Sequence, residues 1–190
     1  MKPEVQDALL YLKAVSNSEL VSEPFVTLCN EVLNDELFRS CYGSAGKHHA
    51  YEGGLAVHVK EVVMGCLAMA EAYPEADKEI LIVSAIYHDY TKIYEYDVTK
   101  PGEGKYSDGE PVKYGKTRFS KLIRHVAGSF SQFLLNVSAL GLSPSEELED
   151  KFENIAHCIL AHHGRKEWGS PVEPQILEAQ ILHFSDMLVS

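Results

Sequence analysis

The chain has 190 residues, 45% of them hydrophobic and 24% charged, which sits in the single-domain range and can bury a core without disulfide staples. A net charge of −11 works against a large nucleic-acid footprint, and no apolar stretch approaches the roughly 20 residues of a membrane span. The cysteines, Cys29, Cys41, Cys66 and Cys158, form no Cys-x-x-Cys pair and follow no signal peptide, so reduced thiols and a cytoplasmic location are expected, with no membrane partner.

The pattern along the chain is helical. Val5 to Val15 and Phe25 to Phe38 show helical apolar spacing, the second opening with a cap-like Ser22 and with Pro24 suited to a first turn. A Gly-rich turn from Gly43 to Gly54 feeds a helix from Leu55 to Ala72 that carries His58, and the next helix runs from Pro74 to Lys92. Between Ile93 and Thr117 the period changes. Tyr94, Tyr96 and Val98 alternate, Pro101-Gly102 and Asp108-Gly109 punctuate, and Val112 and Tyr114 alternate again, which reads as a small β-hairpin or flap. A helix from Phe119 to Leu140 carries His125 and stops at Gly141. Ser143-Pro144-Ser145-Glu146 is a capping box opening a helix that ends at His162-His163-Gly164, and a last helix from Glu173 contains Asp186.

Within this pattern His88-Asp89 closes the apolar run Leu81 to Tyr87. A helix apolar almost all round is built for burial, and an imidazole beside a carboxylate at its inner end is costly without a partner. The bland reading is a hydrogen-bonded core pair; the sharper one is a divalent metal. His58 before it, and His125, His162, His163 and Asp186 after it, favour the metal. Imidazoles and carboxylates together suit Mn²⁺, Fe²⁺, Co²⁺ or Ni²⁺, with Mg²⁺ as a further candidate, and the lack of cysteine ligands argues against structural zinc.

The order His58, His88-Asp89, Asp186 resembles the HD-domain metal-dependent phosphohydrolases, and the histidines at 125 and 162/163 resemble their two-metal branch. The wording is closer still to the HD domain of YhaM-type 3′→5′ exoribonucleases: His48-His49-Ala50-Tyr51-Glu52-Gly53-Gly54-Leu55 before His58, and Ala161-His162-His163-Gly164 before Glu167-Trp168-Gly169-Ser170-Pro171. The likeness runs from about Phe38 to Asp186. It departs in reading His-Asp-Tyr-Thr-Lys where His-Asp-Ile-Gly-Lys is usual, and in the expected lack of a preceding nucleic-acid-binding OB domain.

The resemblance implies an all-α HD-domain bundle over residues 1–190. Its motif-bearing core spans about 38–190, with the helices of 1–37 packed on it and the flap at 93–117. It also implies that His58, His88, Asp89 and Asp186 hold a first metal, and that Asp89 bridges to a second held by His125 and His162. His163 points about 100° from His162 on a helix, so both face the metal only if the helix ends there, and Gly164 is placed to end it. Lys92 is implied to neutralise phosphate charge in catalysis beside Asp89; its alternative is a snorkelling helix-end lysine.

His49 is a candidate for phosphate contact or for orienting a ligand, whereas His48, His157 and His183 read as packed or surface residues, and Tyr90 as core. Lys113, Lys116, Arg118, Lys121 and Arg124 put five basic residues within twelve positions before His125, so Lys116, Arg118 and Lys121 become candidate substrate contacts. Trp168, in a Gly/Pro-flanked loop, could stack on a base. The expected function is hydrolysis of phosphoesters in nucleotides or short oligonucleotides by a metal-activated water. Alternatives are a 3′→5′ exoribonuclease on longer strands, a di-iron oxygenase of the same superfamily, and a binding module without turnover. A homo-oligomer is compatible with all of them.

Overall fold

The structure is a computed structural model, and it describes residues 1–46, 48–105, 111–142 and 146–189. The Asp108-Gly109 turn and the Ser143-Pro144-Ser145 part of the expected capping box lie outside the described residues.

Helices carry the fold. α1 (Pro3–Glu19) turns Val5, Ala8, Leu9, Leu12 and Val15 inward at helical spacing. α2 (Glu23–Asn34) buries Phe25, Leu28, Cys29, Val32 and Leu33. It stops short of the expected Phe38 because Asp35, in extended backbone, accepts from Leu37 N at 2.8 Å and so caps a separate short helix, α3 (Glu36–Ser40). α4 (Gly54–Ala72) begins after Gly53, whose φ of 81° and approach to the Val5 side chain leave no room for a Cβ.

α5 (Lys78–Tyr87) is the axis of the bundle: every residue from Glu79 to Tyr87 is buried, and α2, α4, α7, α8 and α9 pack around it. The chain then tightens into a 3-10 turn (Tyr90–Tyr94), so the expected helix to Lys92 ends early and leaves His88 and Asp89 at the break. Asp89 has φ −111° and ψ 7°, the sparsely allowed bridge region where active-site residues are often found.

The expected hairpin is present as β1 (Tyr96–Pro101) and β2 (Tyr114–Lys116), antiparallel, with Tyr96 opposite Lys116 and Asp97 opposite Gly115 before the register shifts. The single helix expected over 119–140 is two, α6 (Arg118–Leu122) and α7 (Arg124–Ala139), broken where Arg124 takes a φ of 67°. Gly141 ends α7 with φ 63°. α8 (Glu146–Ala161) and α9 (Leu177–Val189) complete the bundle. Side chains from α1 and α2 join one apolar core with those of α4, α5, α7, α8 and α9. No helix among the described residues is long and apolar enough to cross a membrane.

Ser22 makes no side-chain cap on α2, contrary to its cap-like position, because it is recruited by Glu79 in the first turn of α5. The Glu79 carboxylate accepts from Val21 N (2.9 Å), Ser22 N (2.8 Å), Ser22 Oγ (2.9 Å) and Lys151 Nζ (2.7 Å), tying the entry of α2 and the middle of α8 to the central helix. Burial alone would raise the pKa of Glu79, but the bonds from Lys151, Ser22 and Val21 outweigh it and hold the group below the ordinary glutamate value. A depressed carboxyl contributes stability that is present above the unfolded pKa and lost as pH falls through the folded one. Glu79→Gln is therefore expected to cost about 1–3 kcal/mol at pH 7. Urea unfolding of both proteins should show the gap closing as pH drops below about 4.

Candidate metal centre

The buried imidazoles and carboxylates converge at the end of α5. His58, from the first turns of α4, puts Nε2 3.3 Å from Asp89 Oδ2, 3.2 Å from Asp186 Oδ1 on α9 and 3.3 Å from His88 Nε2. His88 Nε2 is 3.3 Å from Asp89 Oδ2 and 3.9 Å from Asp186 Oδ1. His88 Nδ1 donates to Ala85 O at 2.7 Å, which makes Nε2 the lone-pair nitrogen and aims it at the cluster.

A second group lies on the other side of Asp89. His125 Nε2 is 3.4 Å from Asp89 Oδ1 and 3.1 Å from His163 Nε2, and His162 Nε2 is 3.8 Å from Asp89 Oδ1. His162 Nδ1 donates to Ile159 O (2.7 Å) and His163 Nδ1 to Trp168 O (2.9 Å), so both present Nε2 lone pairs inward. Both can do so because α8 ends at Ala161 and Gly164, with φ 79°, turns the chain. The pair is no longer on helical spacing, and the 100° separation does not apply.

Among the described residues, two sets of side chains have ligand atoms within 4.8 Å of one another: His58, His88 and Asp186, and His125, His162 and His163. Asp89 faces both. Its Oδ1 and the Nε2 of His162 are buried without a hydrogen-bond partner, a costly state for a carboxylate oxygen and an imidazole nitrogen that a cation between them would relieve. The residues fit a divalent metal on that ground, and the all-imidazole and carboxylate donors match the borderline-to-hard ions expected from the sequence.

The surrounding charges agree. Burial would raise the Asp89 carboxyl, yet Lys92, His88 and His125 hold it well below the usual carboxylate range. Burial, with His163 and His88 beside it, pushes His162 well below the usual imidazole value, so it stays neutral and able to ligate.

Lys92 is not a snorkelling lysine. Its Nζ lies 2.5 Å from Asp89 Oδ2 and donates to Gly43 O at 3.2 Å, inside the site. The Tyr90-Thr91 variation in the motif has its own fittings: Tyr90 is core, as expected, with its hydroxyl on Asp35 Oδ2 (2.6 Å). Thr91 Oγ1 donates to His125 O at 3.1 Å, in a space that Gly128 leaves open.

Glu95 escaped the sequence analysis. It is buried, and its Oε1 accepts from both His125 N (2.7 Å) and His125 Nδ1 (3.0 Å), which orients that ring. Its only sequence signal is an acid between Tyr94 and Tyr96 just after Lys92, in a segment that reads as a small β-hairpin or flap.

The candidate substrate contacts divide. His49 sits beside the site, ring centroid 6.0 Å from His58, but its Nε2 pairs with Glu61 (2.9 Å) rather than with a ligand residue. Lys116 lines a small cavity against His125, whereas Arg118 and Lys121 are exposed and do not line it. Trp168 is 49% exposed and, with Met187, His183 and Asp186, walls a cavity of about 250 Å³ over His162 and His163. Arg165 lies 4.9 Å over its ring. His183 and His157 bond to backbone: His183 Nδ1 donates to His162 O (2.8 Å), and His157 Nε2 accepts from Gln175 N (3.0 Å).

This arrangement has relatives. The HD domain family model matches residues 55–189. The chain is 33% identical over 148 residues to the 3′-5′ exoribonuclease YhaM of Bacillus velezensis (strain DSM 23117 / BGSC 10A6 / LMG 26770 / FZB42), covering 77% of this chain and 42% of that protein. It is 32% identical over the same length to the 3′-5′ exoribonucleases YhaM of Bacillus subtilis (strain 168), with 77% and 42% covered, and of Geobacillus sp. (strain WCH70), with 77% and 40% covered. The chain thus spans less than half the length of these curated relatives. No solved structure matches it. With the family model over most of its length and the His and Asp residues of the motif gathered into one buried centre, the chain belongs to the HD-domain family of metal-dependent phosphohydrolases.

Proposed function

We propose that this protein is a phosphohydrolase that cleaves phosphoester bonds of nucleotides or short oligonucleotides, acting on the latter as a phosphodiesterase, through a centre of two divalent ions. The observation that carries the reading is the position of Asp89 between the two histidine sets, with Oδ2 toward His58 and His88 and a buried, unpartnered Oδ1 toward His125 and His162. In this reading His58, His88 and Asp186 would hold one ion and His125, His162 and His163 the other, with Asp89 available to both. Such ions, when bound, supply a water of lowered pKa and neutralise charge at the phosphorus.

The chain's own groups do the rest. Carbonyls of Ala85, Ile159 and Trp168 and the Glu95 carboxylate fix the rings of His88, His162, His163 and His125. Lys92 keeps a cation within the site, on Asp89, and its positive charge is positioned to meet a phosphate oxygen. Trp168 offers a face on which a base can stack at the rim.

The YhaM relatives favour a second, narrower reading, 3′→5′ removal of nucleotides from RNA. The net charge of −11 favours short strands over long ones, because a protein gripping many phosphates needs a basic track. The test is hydrolysis by Mn²⁺-loaded protein of RNAs from two to twenty nucleotides at rising salt. The proposal expects cleavage of short strands with a shallow salt dependence. Efficient degradation only of long strands, with a slope of several units, would contradict it.

Glu95 supplies a further prediction. Glu95→Gln retains shape but not the charge that holds His125 Nδ1–H, so affinity for one of two bound ions should fall about 10–100-fold while the other is retained. Competition with a metal-sensitive chelator dye measures it.

A further inference from the structure

Arg124 breaks the helix between α6 and α7 with a φ of 67°, a left-handed conformation that an arginine enters at a steric cost and a glycine does not. Backbone of this kind beside a reactive centre points to use of the side chain it presents. The guanidinium passes over Gly169, with Nη1 3.3 Å from where a Cβ on that glycine would stand. It thereby lines a cavity of about 90 Å³ together with Lys116, Ser120, Glu95, His125 and His163.

Arg124 and Lys116 are both exposed, and among the described residues neither side chain has an ion pair or hydrogen bond partner. Glu95, the acid lining this cavity, is committed to His125, so among the described residues that line it no acid is left for the two cations. The cavity is much smaller than the roughly 250 Å³ space over His162 and His163, and Trp168 borders both. The small space suits an anion, and the larger one suits a base and sugar.

We propose that Arg124 and Lys116 form a phosphate subsite on the His125/His163 side of the centre, binding the phosphodiester next to the one being cleaved. The substrate class is then an oligonucleotide with at least two phosphates rather than a mononucleotide. This rests on the phosphodiesterase reading above. Arg118 and Lys121, outside the cavity, add only to the general field.

The test uses the full chain with Mn²⁺ and three substrates: bis(p-nitrophenyl) phosphate, a dinucleoside monophosphate and a trinucleoside diphosphate. Wild type should prefer the trinucleoside over the dinucleoside, and Arg124→Gly should reduce that preference about tenfold, mainly through KM. The Tm of Arg124→Gly should equal or exceed that of wild type, because glycine relieves the left-handed backbone, so the loss cannot be assigned to misfolding. Binding of labelled trinucleoside to metal-free protein gives a readout without turnover: its logarithmic salt slope should fall by about 0.7 in the variant.

Arg118→Gln should change the preference less. An unchanged preference and slope in Arg124→Gly, or an equal effect of Arg118→Gln, would overturn the subsite. Absence of hydrolysis of all three substrates by metal-loaded wild type would instead overturn the phosphodiesterase reading, and the salt slope would still decide the subsite.

Discussion

Asp89→Ala is expected to reduce hydrolysis to background and to strip metal from both halves of the centre at once. The side chain is buried between the two histidine sets, each of its oxygens facing a different one. Removing it deletes the shared anion and strands Lys92, whose ammonium is buried against it. Loss of one partner of a buried pair costs about 3–5 kcal/mol, so the alanine variant should also lose stability. Asp89→Asn separates the effects: it preserves volume and a carbonyl oxygen, should recover much of the stability, and should recover neither metal nor turnover. Metal analysis and thermal unfolding of both variants check this. An asparagine variant that keeps two ions and wild-type kcat would remove the bridge from the account.

His125→Ala should behave differently. Its Nε2 faces His163 and Asp89 Oδ1, and it is not one of the His58, His88 and Asp186 set. One ion should therefore remain bound while the other is lost, with activity falling by more than the 10–100-fold that loss of a supporting partner costs. The alanine also leaves the Glu95 carboxylate buried without its imidazole partner, though still accepting from the backbone N–H of residue 125, so some loss of stability is expected. Unchanged metal content and rate would make the centre mononuclear.

These effects were partly legible before the structure because the chemistry and the fold share a signal. His88-Asp89 ends an apolar run, and that run is the buried axis of the bundle, so the costly pair and its environment are adjacent in sequence. His162 and His163 are ambiguous in the sequence because a helix would splay them; the outcome depends on where α8 stops, and Gly164 stands three residues past that stop.

Two other breaks carried no glycine or proline. Asp35 splits an apolar-periodic stretch by acting as a cap, and Arg124 splits another by adopting a left-handed backbone. Aspartate is a favoured helix cap, but inside an apolar-periodic stretch that signal competes with the helical pattern, and arginine is an ordinary helical residue. Glu95 and Arg124 were hidden for a related reason. Their partners, His125 some 30 positions on for one and the loop at Gly169 for the other, are set by how the hairpin and the α6–α7 break fold back. The basic strip before His125 was visible as composition, but only the fold separates Lys116 and Arg124 from Arg118 and Lys121.

The central claim is that one carboxylate joins two metal positions in a single hydrolytic centre. Its most direct measurement is anomalous diffraction from crystals of the protein grown with Mn²⁺, alongside metal content in solution. Two anomalous peaks are predicted, one among His58, His88 and Asp186 and one among His125, His162 and His163, with Asp89 between them. A single peak, or two peaks that Asp89 does not contact, in protein that hydrolyses phosphodiesters at full rate would contradict it.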